Sequence, residues 1–439
     1  MSTAARPRIA IAGAGVGGLA AALACRRAGA EVTVLEAGGR ARAAGGGLGL
    51  LPNAAWALRS LGAERQVAAR ATTIHSYVFL DWNGTPLHRF PVAELTARCG
   101  GPMWMIERRD LLAALGEALA EPAGEDDAPA DDRSRPPARP RVLYGVACAG
   151  FELRPGVVRL RLGADAGPRA VHDLLCDGLI GADGFRSAIR RQLLGDGGIR
   201  TTRRLAWTGS FLAPADRWPG QAGEMVTFSG RGLLLTATTM TGRPSDPSGA
   251  RRVVWFASET LTPAGARPGW LAVAARFAAV EPRIGALLAR SDDAVGFELR
   301  DRRPVSRWGR GPVTLLGDAA HPCSPDLSQG ACQALEDAAV LGAELAHRAS
   351  VEDAWRRYER VRAPRAARVT RTAWLSTLAR TFAGPPLDGL RNLAMSRLVP
   401  PFLQQELHFV AGGEPVPWLI PSWLLTGPRR SPAPLIAYR

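Results

Sequence analysis

The stretch from Arg8 to Glu36 leaves this chain few folds to choose from. Ile9, Ala10, Ile11 and Ala12 form a short apolar run, the pattern of a strand buried on both faces. Gly13-Ala14-Gly15-Val16-Gly17-Gly18 follows at once. A helical stretch from Leu19 to Ala28, closed by Gly29, then leads to a second apolar strand, Val32-Thr33-Val34-Leu35, which ends on Glu36. That order is the βαβ signature of a dinucleotide site. Gly13 permits the tight turn, Gly15 lets a pyrophosphate reach the backbone, and Gly18 lets helix and strand pack closely. The helix N-terminus offers unpaired N–H groups and the positive end of its dipole to phosphates. A carboxylate at Glu36 suits both hydroxyls of an adenosine ribose and repels a 2′-phosphate. The site is therefore expected to take FAD or NAD(H), not NADPH.

With 439 residues, 46% of them apolar, the chain is long enough for two cores. It enters its first strand by residue 9, nothing in it resembles a secretory signal, and no run approaches the roughly twenty apolar residues a bilayer needs. A cytoplasmic protein without a membrane span is expected. The six cysteines are scattered without a CxxC pair, which fits reduced thiols and no metal site. A net charge of +15 invites a nucleic-acid partner, but the chain has no lysine and its arginines are spread throughout. No nucleic-acid binding is expected, because arginine has taken over lysine's solubilising role. The missing lysine also removes Schiff-base chemistry.

Further along, Gly45-Gly46-Gly47-Leu48-Gly49 allows close backbone approach to a ligand, and Pro52 is placed to open a helix over 53–61. Residues 74–92 read as a hairpin turning at Asn83-Gly84. A strand end followed by a helix covers 104–119, through Arg108. Residues 121–141 lack periodicity and read as a surface insertion. Strands return over 142–184 and end in Gly181-Ala182-Asp183-Gly184, with a helix from Ser187. Residues 206–261 read as a separate antiparallel layer, and 270–289 as a helix. A buried strand, 313–316, precedes Gly317-Asp318-Ala319-Ala320-His321-Pro322, and helices are expected over 329–348, 354–379, 387–398 and 402–410.

Three separated motifs, GAGVGG with Glu36, GADG at 181–184 and LLGDAAHP at 315–322, together resemble the FAD-dependent aromatic-ring monooxygenases of the p-hydroxybenzoate hydroxylase type. Residues 324–338 are similar to the branch holding the salicylate and urate hydroxylases, and the resemblance spans about residues 8–410. It implies an α/β fold. A Rossmann-like FAD-binding domain would comprise 1–73, 103–205 and 300–380, and an antiparallel β-sheet substrate domain 74–102 and 206–299. C-terminal helices and a tail would fill 381–439. It implies FAD as cofactor and NADPH or NADH as a transient co-substrate. Reduced flavin and O₂ would form a flavin hydroperoxide that hydroxylates an electron-rich small molecule. An alkene epoxidase, a non-oxygenating flavin oxidoreductase and a flavoprotein that binds without turnover stand as alternatives. A flavin halogenase is disfavoured by the missing lysine.

For the cofactor, the resemblance adds Arg42 near the adenosine, Arg108 at the phosphates and ribityl chain, and Asp318 at a ribityl hydroxyl. Gly47 lies in the glycine run of close approach. Asp183 matches a motif said to serve both nucleotides, or it simply caps the helix at Ser187. The loop from Pro325 to Gly330 and the helix N-terminus at Gly330 and Ala331 should face the flavin's pyrimidine carbonyl with partial positive charge. The family often has glycine at 328 and asparagine at 332, where this chain has Ser328 and Cys332. His321 sits in a motif whose histidine is usually structural, and no catalytic side chain is assigned. On the substrate side, Trp207, Phe211, Phe228, Leu235, Thr238 and Trp255 lie on strands that should roof the flavin, although aromatics at strand spacing are more often plain core. An arginine the branch often carries beside Trp207 is absent from Trp207-Thr208-Gly209, which argues for a neutral or larger substrate. The tail from Pro415 is apolar enough that it must dock on its own body, on a second subunit as in a homodimer, or on a membrane surface.

Overall fold

The computed structural model describes residues 6–379 apart from 40–45, 82–83, 122–138, 164–173, 215–217, 219, 231–232, 242–245, 247–249, 261–268, 280–281 and 292. Arg42, Asn83, most of the expected insertion, the 387–410 helices and the tail thus lie outside the described residues.

The apolar runs assemble into a five-stranded parallel sheet. Its order is Val313–Leu315, Gly178–Gly181, Arg8–Ala12, Glu31–Glu36 and Arg141–Tyr144. This order puts three distant motifs side by side, because GAGVGG, GADG and GDAAHP each leave the carboxyl end of one of three neighbouring strands. Open parallel sheets bind ligands at that edge. The helix Val16–Arg27 packs against the helix Gly330–His347 at close range: a Cβ at Gly342 would lie 2.7 Å from the Ala24 Cβ.

A second, seven-stranded sheet runs Val295–Arg302, Ile199–Pro214, Ala250–Thr260, Leu233–Thr239, Glu224–Gly230, Ser76–Leu80 and Pro86–Pro91. It is antiparallel except where Glu224–Gly230 runs parallel to Ser76–Leu80. Alternation divides its side chains between two faces. One face packs Trp207, Phe211, Phe228, Leu235 and Trp255 onto Val273, Phe277 and Leu287. Those three come from two helices, Trp270–Ala278 and Pro282–Leu288, not the single helix expected over 270–289. Pro282 has no N–H to continue the first helix and suits the first position of the second. A small sheet of Gly47–Leu50, Trp104–Glu107 and Thr72–Thr73 joins the two large ones.

The long helix Val351–Ala379 closes the structure through a buried ionic network. Arg362, fully buried, donates from Nε to Asp337 at 2.7 Å and also pairs with Glu336, which Arg365 contacts at 2.7 Å. Burial opposes charge on both carboxylates. Arg362 and Arg365 around Glu336, and the neighbouring His321 and Arg362 around Asp337, outweigh it and hold each carboxyl down at about 2. Removing one member of such a network strands buried charge, at a cost of about 3–5 kcal/mol. Arg362→Met is therefore expected to lower unfolding stability by that amount in urea titration. A variant as stable as the parent would contradict the assignment.

Candidate active site

The glycine turn has the shape a pyrophosphate needs. Gly13 has φ of +100°, and a Cβ there would lie 2.5 Å from the Ala182 carbonyl oxygen. A Cβ at Gly18 would collide with the Gly13 carbonyl oxygen at 1.8 Å. At Gly15, by contrast, a Cβ would meet no protein atom within 4 Å, so the space before this helix N-terminus is open. Glu36 braces the turn: one carboxylate oxygen accepts from Ala14 N at 2.8 Å and the other from Gly38 N at 2.7 Å. Each oxygen keeps a lone pair for a ribose hydroxyl.

Asp183, next in this row of loops, caps the helix Ala188–Leu194, accepting from Ala188 N at 2.7 Å. Its other oxygen is buried with no hydrogen-bond partner among the described residues, and burial raises its carboxyl above the usual range. The capping role is thus real, and an orphaned acceptor is left over beside Gly13.

Asp318 sits on a short 3₁₀ turn, Gly317–Ala319, at the end of the strand Val313–Leu315. Its side chain is exposed to water yet walled by protein, the situation of a group lining a cleft. Enclosure raises its carboxyl, while His321 and Arg108 oppose the shift. Its Oδ1 lies 3.9 Å from where a Cβ on Gly330 would be, so Asp318 meets the N-terminus of the helix Gly330–His347. Gly330 and Ala331 begin that helix after the 3₁₀ turn Pro325–Leu327, and no side chain caps it. Its first N–H groups are left for a ligand. Arg108, exposed, opens the helix Arg108–Ala120 and ties its N–H to the Gly46 carbonyl at 3.1 Å. Gly47 starts the strand that floors the cleft, and a Cβ there would lie 2.7 Å from a Val254 methyl.

His321 is no free base. Its Nε2 lies 2.6 Å from Asp337 Oδ2, which also accepts from Gly317 N at 3.0 Å, and its ring packs on Trp308. Arg190, which sequence reasoning missed, donates to the carbonyls of Ala319 and Ala320 at 2.9 and 2.8 Å and pins the same turn. Cys332 turns inward: its thiol accepts from Leu51 N, lies 3.2 Å from the Ser328 carbonyl, and is pushed up by burial to about 12.

The fit to FAD rests on these observations: open space at Gly15, an orphaned Asp183 oxygen, an uncapped helix N-terminus, and a carboxylate in a cleft. Similar proteins agree. Models described as an FAD binding domain match residues 8–83 and 159–373. The 3-amino-4-hydroxybenzoate 2-monooxygenase PtmB3 of Streptomyces platensis is 35% identical, with 83% of this chain and 86% of that protein covered. The chain belongs to the FAD-dependent aromatic-ring monooxygenases. Another relative, the aurachin C monooxygenase/isomerase of Stigmatella aurantiaca, is 32% identical over 81% of this chain and 85% of its own length. Klebsiella pneumoniae HpxO, solved with FAD and uric acid, superposes with a TM-score of 0.77 at 25% identity, covering 92% of this chain and 96% of HpxO. As in other aromatic-ring monooxygenases, the activity is FAD-dependent hydroxylation with NAD(P)H and O₂. The epoxidase, non-oxygenating and binding-only alternatives find no support among such relatives.

The expected substrate side chains need correcting. Trp207, Phe228, Leu235 and Trp255, with Phe211, lie on the sheet face covered by the two helices, where Trp255 stacks on Trp270 at 4.4 Å. They are core. Thr238 points to the opposite face but is buried. That face carries a cross-strand row, Thr208, Phe256, Thr236, Thr227 and Phe79. Thr208 abuts Gly46, since a Cβ on Gly46 would lie 2.0 Å from its hydroxyl oxygen, so this row meets the cleft.

Two substitutions separate binding from folding. Gly15→Val is expected to fold, having no protein clash, and to lose FAD. Asp318→Ala removes a charge-assisted bond worth on the order of 1.5–3 kcal/mol, so FAD should bind about ten- to hundredfold more weakly. Equilibrium dialysis against FAD checks both, and unchanged affinity in either contradicts the cradle.

Proposed function

We propose that this monooxygenase hydroxylates an uncharged, hydrogen-bonding aromatic ring held against the row Thr208–Phe256–Thr236. The observation that carries this reading is that Thr208, Phe256, Thr236, Thr227 and Phe79 are all uncharged; the row reaches a titratable side chain at the edge strand, where His88 stands opposite Phe79. The cations on the same face are two rows away and occupied: Arg204 is buried against Ser258, and Arg252 pairs with Asp246 and lies 3.8 Å from Glu107. Thr208 already donates to the Trp255 carbonyl at 2.9 Å, so it faces a substrate as an acceptor. The hydroxyls of Thr227 and Thr236 share one bond at 3.1 Å, which leaves one proton to donate. Phe256, half-buried between them, offers a ring face. Relatives of similar identity are named for both a hydroxybenzoate and aurachin C, so overall likeness does not choose between acid and neutral substrates.

In this reading Gly13, Gly15 and Gly18 admit the pyrophosphate, Glu36 holds the ribose, and Arg108 and Asp318 hold the phosphates and ribityl chain. Arg42 belongs to the same proposal on sequence grounds alone. Bound there, FAD supplies the hydride acceptance and oxygen activation that side chains cannot. The protein's part is position, exclusion of water, and positive potential. The N–H groups at Gly330 and Ala331 would stabilise negative charge on a flavin bound beside them, with no side-chain acid or base required. NADPH or NADH acts transiently. Six free thiols fit a reducing, cytoplasmic setting, and no described helix is long and apolar enough to cross a membrane.

Neutral phenols and heteroaromatics, screened beside matched carboxylates, should perturb the flavin spectrum at lower concentration and gain one oxygen in product mass. Thr208→Val should weaken the best neutral ligand about fivefold, the worth of one hydrogen bond. Preference for the carboxylates, with Thr208→Val unchanged, would overturn the reading.

A further inference from the structure

Ser328 departs from its surroundings in two ways. It is the one non-glycine residue with positive φ among the described residues, at φ 53° and ψ 29°, a left-handed backbone that L-residues other than asparagine and aspartate disfavour. Glycine would relieve it, and the place lies two residues before the helix N-terminus that meets Asp318. The strain persists because the loop is tied on both sides. Ser324 and Asp326 both bond Thr377 on the long C-terminal helix. Gln329 accepts from Asn53 at 3.1 Å and from Gln333 at 2.8 Å, and the Cys332 thiol holds the Ser328 carbonyl at 3.2 Å.

Those bonds also single out one hydroxyl. Along residues 324–332 the side chains of Ser324, Asp326, Gln329 and Cys332 all have protein partners, whereas the half-buried Ser328 hydroxyl has none among the described residues. Its position is defined by a glycine opposite: a Cβ on Gly49 would lie 3.2 Å from both Cβ and Oγ of Ser328. The space vacated by Gly49, on the strand that floors the cleft, is filled from across by the Ser328 side chain. A hydroxyl held at a strained position, packed on Gly49 and still accessible is free to meet a bound group.

We infer that Ser328 is a positioning residue whose hydroxyl would hydrogen-bond the polar edge of the isoalloxazine bound beside the helix N-terminus. This rests on the FAD cradle proposed above, so FAD binding by the unaltered protein is the control: its failure would sink the cradle, not this residue's role alone. Three variants isolate the hydroxyl. S328A keeps the backbone strain and loses the hydroxyl, S328G loses both, and S328N keeps a polar group on a residue that tolerates left-handed backbone.

Apoprotein titrated with FAD should show S328A and S328G binding about five- to tenfold more weakly. Both should show a displaced flavin absorbance band and a shifted flavin reduction potential, and S328N should restore both signatures towards the parent. S328G, and S328N to a smaller degree, should melt higher as apoprotein, since both relieve the strain that S328A keeps. Parental FAD affinity, spectrum and potential in S328A would overturn the inference. The same would follow if S328A left the flavin unchanged and weakened only substrate binding, because the hydroxyl would then serve the substrate.

Discussion

The cleft depends on one buried carboxylate. Asp337 lies beneath the turn that carries Asp318, and its Oδ2 meets both Gly317 N and His321 Nε2. It stays charged in the interior because Arg362 and His321 surround it, and Arg362 in turn bridges to Glu336. Through this network the last described helix clamps the first turns of the helix Gly330–His347 to the end of the strand Val313–Leu315. Without that clamp, neither the Asp318 carboxylate nor the exposed N–H groups at Gly330 and Ala331 would have a fixed place. Buried ion pairs often add little net stability compared with apolar replacements. Here the return is geometric, since a bidentate cation sets the distance between two elements to within a hydrogen-bond length.

The same logic extends outward. Arg190 fastens the Ala319 and Ala320 carbonyls, Glu36 fastens the GAGVGG turn, and Asp183 fastens the helix after GADG. These three charged groups are committed first to backbone, and only what remains of them faces the cleft. A loop built this way is organised before any ligand arrives, which lowers the ordering cost of binding. The proposed substrate wall is organised differently, through hydroxyls on a pleated sheet whose other face is anchored by stacked tryptophans.

Much of this was legible in the sequence where the requirement is local. Gly13 answers to the Ala182 carbonyl and Gly18 to the Gly13 carbonyl, while Gly15 faces open space, so the glycine spacing reports tight backbone packing beside an open edge, and the three motifs proved to be neighbours at one sheet edge. The readings failed where the answer depends on what lies opposite. Alternation around Trp207 and Trp255 shows two faces but not which is covered by helices, and bulk suggested a substrate wall where there is helix-covered core. Parity against Thr208 would have been the usable signal, because a polar residue next to a buried tryptophan on a strand marks the other face. Nothing local in the sequence marks Glu336 and Asp337 as buried acids, since their partner Arg362 lies 26 and 25 residues further along the chain. The strain at Ser328 had no sequence signal beyond serine at a position where the family often has glycine.

The central claim is that this cradle holds a flavin that puts one atom of O₂ onto a ring lying on the uncharged wall. Turnover of the best neutral aromatic under ¹⁸O₂, with the product examined by mass spectrometry, tests it most directly. One ¹⁸O per product molecule, formed only with FAD and reduced nicotinamide present, is the result this account predicts. Nicotinamide oxidation at full rate with no labelled product from any aromatic would contradict it.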